Sequence, residues 1–102
     1  MSTALRKQDP VFPEPHETET SKIVMLETAT ETMMAYIGYL NTEIMKEEDM
    51  VVPNQAKIQA LQAQMDVVSK ERKAVNPDNA KLIAKAVHVY GPIMKALYEQ
   101  NG

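Results

Sequence analysis

Apolar positions step by three and four through most of the chain. Ile23, Leu26, Thr30, Met33, Ile37, Leu40 and Ile44 form one such line. That period matches one side of an α-helix, with the seam of a heptad pattern, and Thr30 is its only polar member. Met25, Met34, Tyr36 and Tyr39 widen the apolar surface beyond the seam. A helix apolar on more than one side needs more than one neighbour. Thr20 or Ser21 can cap its start. Gly38 falls in its middle, where glycine costs up to about 1 kcal/mol relative to alanine. The usual return is close approach of another helix, so a helix crossing is expected at Gly38.

"KEEDMVVPN" closes this helix and turns the chain. Glu47, Glu48 and Asp49 stand at a helix C-terminus, the unfavourable end of its dipole for anions. Asn54 can cap a second helix, whose narrow stripe is Ile58, Leu61, Met65, Val68, Arg72 and Val75. Such a helix lies on the outside of a bundle and rests on the first through one seam. "NPDN" separates it from a third, with Asn76 as the expected cap, Pro77 in the first turn and Asp78 on the N-terminal dipole.

The third helix carries two apolar lines, Ala80, Ile83, Val87, Tyr90 and Leu82, Ala86, Val89, Ile93. Gly91 and Pro92 interrupt it. Pro92 has no N–H to offer the carbonyl of His88. The apolar phase nevertheless runs on through Met94 and Leu97, which favours a kinked continuation over a reversal. The expected fold is therefore all-α: an antiparallel three-helix bundle with a kinked or broken third helix. Residues 21–102 make the bundle domain. Residues 1–20 hold Pro10, Pro13 and Pro15 and read as a flexible, disordered tail. Val11 and Phe12 are the bulky apolar pair within that tail.

Composition narrows the function. The 102 residues suit one domain with one modest core. Cysteine is absent, so disulfides, thiolate metal sites and cysteine nucleophiles are excluded. No apolar run approaches the roughly 18–20 residues that span a bilayer, and the first residues lack the apolar core of a secretion signal. A cytoplasmic protein without membrane contact is expected. Residues 1–50 carry ten acidic and four basic groups, and residues 51–102 carry four acidic and seven basic. This asymmetry speaks to association rather than to fold.

Chemistry finds little support. His16 and His88 are the only histidines, and His88 has no second ligand at helical spacing, so no metal or cofactor is expected. Neither Ser21 nor Ser69 sits in a nucleophile motif, and the three glycines are too scattered for a phosphate loop. The reading is non-enzymatic. Eight methionines offer adaptable apolar surface. The expected function is a protein–protein interaction module: a small helical chaperone, adaptor or inhibitor acting through apolar helix faces, with a homodimer expected. Val11, Phe12, Met34, Tyr39, Ile93 and Met94 are the partner-binding candidates. The alternative is a nucleic-acid-contacting regulator using Lys70, Arg72, Lys73, Lys81 and Lys85, against which the net charge of −3 argues.

Overall fold

A computed structural model describes residues 19–101, apart from the side chain of Asn101. The described residues are helical except at two short turns. α1 runs Glu19–Glu48, α2 Gln55–Ala74, α3 Ala80–Lys85 and α4 Gly91–Asn101. A π-helical turn, Ala86–Tyr90, joins α3 to α4, so these three pieces form one continuous third helix. The chain is all-α, as its periodicity predicts. α1 is the spine: α2 packs along it, and so do α3, the π turn and α4.

The main core cluster is drawn from all three helices, and Ile44 and Ile58 are buried outside it. Ala29, Met33, Tyr36 and Leu40 come from α1, Val68 from α2, and Ala86, Tyr90 and Met94 from the third helix. Met33 and Val68 are completely buried. Each such side chain contributes about 1.5–3 kcal/mol by leaving water. Tyr36 and Tyr90 meet with ring centroids 5.1 Å apart and tilted by 43°, a geometry that suits aromatic quadrupoles.

The buried line of α1 differs in detail from the expected one. Ala29, Met33, Tyr36, Leu40 and Ile44 are buried, while Ile37 is only half-buried and Ile23 is exposed. The line is rotated toward the third helix, where Tyr36 meets Tyr90. Thr30 sits at the margin and satisfies its hydroxyl by donating to the Leu26 carbonyl at 2.9 Å. α1 is already helical at Glu19, so Thr20 and Ser21 lie inside the helix and are not its caps. Among the described residues no helix crosses at Gly38: a Cβ added there meets nothing within 4 Å beyond its own helix backbone.

Asn54 caps α2 as expected, its side chain accepting the Lys57 N–H at 3.1 Å. Of the expected line Ile58, Leu61, Met65, Val68, Arg72 and Val75, Ile58 and Val68 are buried and the others are half-buried. The cap of the third helix is Asn79 and not Asn76. Asn76 instead accepts the Asp78 N–H at 2.8 Å and donates to the Ala74 carbonyl. An asparagine preceding proline is used as a turn-former here, which delays the helix by one turn.

Gly91 and Pro92 do not reverse the chain. Gly91 has helical angles, φ −58° and ψ −53°, and its N–H reaches back five residues to the Ala86 carbonyl. The wide turn before Pro92 loosens the α register where the proline removes a donor. The inward line accordingly runs through Ala86, Tyr90 and Met94, with Val87 only half-buried.

Candidate interaction surfaces

Two polar clusters hold the helices in place. The first is at the α1–α2 turn. Glu47 is 8% exposed. Its Oε2 accepts the Asn54 N–H at 3.0 Å, and its Oε1 pairs with Lys57 Nζ at 3.2 Å. These partners, the backbone N–H first, hold its carboxyl below the usual carboxylate range. α2 has no acidic residue in its own first turn, and Glu47 supplies that negative charge from the neighbouring helix. Its place at the end of α1 is thus favourable for α2. No local signal in the sequence links position 47 to position 54.

The second cluster joins α2 to the third helix. Glu71 accepts from Tyr90 Oη and from Lys85 Nζ. Lys85 Nζ also lies 5.4 Å from the centre of the Tyr90 ring. The Glu71 carboxylate raises the Lys85 pKa. Burial, then the bond to Glu71, raises that of Tyr90. With its acid and base paired and its tyrosine in the core, the cluster is built for fastening. Among the described residues no group of three potential ligands gathers to hold a metal. No described helix is long and apolar enough to cross a membrane.

The partner-binding candidates separate. Val11 and Phe12 lie outside the described residues, as does the expectation of a flexible tail. Met34 is 51% exposed. Tyr39 is half-buried and stacks beside Tyr36, ring centroids 6.5 Å apart. Ile93 is exposed, whereas its neighbour Met94 fills the core. Of the basic candidates, Lys70, Lys73 and Lys81 are exposed, Arg72 is half-buried and Lys85 is tied to Glu71. The fold brings one pair of sets together: Met34 and Ile37 line a shallow groove with Ser69, Arg72 and Lys73.

Other exposed apolar residues extend the picture. Met45 is 55% exposed, Val51 and Val52 project from the turn, and Val89 stands beside Ile93. Met34 and Met45 are eleven residues apart, about three helical turns, and so share a side of α1. That spacing is the sequence signal which identifies Met45. On the third helix, Val89, Pro92, Ile93 and Ala96 are all exposed at steps of one to four, forming a second apolar side. Comparison with family models, curated proteins and solved structures gives no match to this chain.

Proposed function

We propose that the chain is a non-enzymatic protein–protein interaction module that offers apolar helix faces to a protein partner. One observation carries this reading: after the bundle has formed, large apolar side chains remain in water on two helix sides. On α1 these include Met34 and Met45, and on the third helix Val89 and Ile93. Scattered exposed apolar residues are ordinary, but sets that share one helix side are characteristic of docking surfaces. The third-helix side has the spacing used when helices lie along one another. The absence of cysteine suits the reducing compartment in which such an adaptor, chaperone or inhibitor would work.

The test is a double variant, Val89→Glu with Ile93→Glu, compared with the wild type. Both positions are solvent-facing, so far-UV circular dichroism is expected to stay unchanged. The wild type is expected to bind an apolar dye and to retain a protein from its native cells at high salt, since apolar contacts are not weakened by ions. The double variant is expected to lose both. Retention of both by the variant refutes the role of this side. Loss of the captured molecule with rising salt, or with nuclease, favours the nucleic-acid alternative instead.

A further inference from the structure

The α1 side that carries Met34 and Met45 has three features that together specify its occupant. It carries Met34, Ile37 and Met45, and between them Asn41 donates to the Met45 Sδ at 3.7 Å. It is basic at one end, where Arg72 and Lys73 line the groove beside Met34. It is acidic at the other, where Glu48 and Asp49 are exposed. A face charged oppositely at its two ends complements a copy of itself turned end for end. Gly38 lies on this same side, about 40° around the helix from Met34. It is exposed, and among the described residues nothing beyond its own helix backbone comes within 4 Å of where its Cβ would be. A mid-helix glycine with no neighbour among the described residues leaves a notch that a second copy fits.

We infer that a second copy of this chain covers this face, pairing α1 with α1 antiparallel about a twofold axis between Asn41 and Thr42. It deepens the interaction-module reading and rests on it. The register follows from the spacing alone. Such an axis sets Met45 of one copy against Gly38 of the other, a flexible knob in an open notch. It sets Met34 against Asp49 of the second copy. Arg72 and Lys73 of each copy then meet Glu48 and Asp49 of the other, at both ends. The paired stretch, Met34 to Asp49, is about 24 Å long at helical rise. The same surface on both copies closes the assembly at two.

The arrangement is tested by charge exchange between two variants. One carries Arg72→Glu with Lys73→Glu, the other Glu48→Lys with Asp49→Lys. Glu48, Asp49 and Lys73 are exposed and Arg72 lines the groove, and circular dichroism checks that each variant is folded. Light scattering across a dilution series reads the mass. The wild type is expected at twice the chain mass, loosening as salt rises. Each variant alone is expected to dissociate, its dissociation constant rising about tenfold or more, because like charges then meet at both ends. An equimolar mixture is expected to return to twice the chain mass, since each variant complements the other at both ends. A monomeric wild type, larger open assemblies, variants that dimerise like the wild type, or a mixture that stays dissociated each overturn the inference. The third-helix double variant distinguishes this failure from that of the broader reading. If that side still captures a partner while the wild type is monomeric, the module stands and the twofold pairing falls.

Discussion

Glu47 decides the geometry of the first turn. Its carboxylate accepts the N–H of the residue that caps α2 and pairs with Lys57 in the first turn of that helix. The charge and the hydrogen bond are separable. Glu47→Gln keeps an oxygen for the Asn54 N–H but removes the negative charge, whereas Glu47→Ala removes both. Thermal unfolding at neutral pH is expected to rank the wild type first, Gln second and Ala third. The sign of the pH dependence follows from the depressed carboxyl. A group whose folded pKa lies below its unfolded value stabilises the fold above the unfolded value, about 4.3–4.5. That stability is lost as pH falls through the folded pKa. The gap between wild type and Glu47→Gln is therefore expected to narrow below about pH 4. A gap that stays constant down to pH 2 would remove the charge from this account.

The third helix shows what one hydrogen-bonded cluster does for an element. Its middle is fastened to α2 by Glu71, Tyr90 and Lys85. Tyr90→Phe keeps the ring against Tyr36 and deletes only the donor. The expected cost is about 1–3 kcal/mol, the range for a bond to a charged group. Amide hydrogen exchange is expected to quicken in the third helix more than in α2. The pKa values of Tyr90 and Lys85 are both raised. Their contribution is fully present below the unfolded values, about 10, and is lost as pH rises through the folded ones. The alkaline decline in stability is expected to be shallower in Tyr90→Phe.

Gly38 makes the complementary case on α1. With no contact at its Cβ position, Gly38→Ala is expected to stabilise the folded chain by about 0.5–1 kcal/mol. If the second copy seats Met45 there, the same change is expected to weaken self-association in light scattering. A monomer made more stable and a dimer made weaker by one methyl group is an outcome that helix propensity alone does not give.

At the scale of the molecule, the number of helices, their order and most inward positions of α2 were legible in apolar spacing. Three things were not, and each has a physical reason. The rotation of the buried line on α1 depends on where the third helix lies, which no local period encodes. The Glu47 bond to Asn54 crosses a turn, so residue 47 reads as misplaced until α2 is seen beside it. The π turn changes the register over a few residues, and its effect on Val87 is invisible to a pattern that assumes a constant pitch. Of the interaction candidates, Met34 and Ile93 are exposed, Tyr39 is half-buried and Met94 lies in the core.

The main core cluster is fed by all three helices, and Ile44 and Ile58 alone of the described buried apolar residues lie outside it, between α1 and α2. Unfolding is then expected to be cooperative. Tyr36 and Tyr90 lie inside that cluster and report on packing, while far-UV circular dichroism reports on helix. The two signals are expected to change together in denaturant. Met33→Ala tests the point, since Met33 is completely buried and its truncation is expected to cost about 2–5 kcal/mol. Met34→Ala, one position along and half exposed, is expected to change the stability of a dilute monomer by no more than about 0.5 kcal/mol. If the helices unfold as one unit, Met33→Ala moves both signals to lower denaturant by the same amount. If the tyrosine signal is lost while helix content persists, the third helix separates from a surviving α1–α2 pair. The Glu71 cluster would then be a latch on a detachable element, and the Tyr90→Phe variant would show that separation at still lower denaturant.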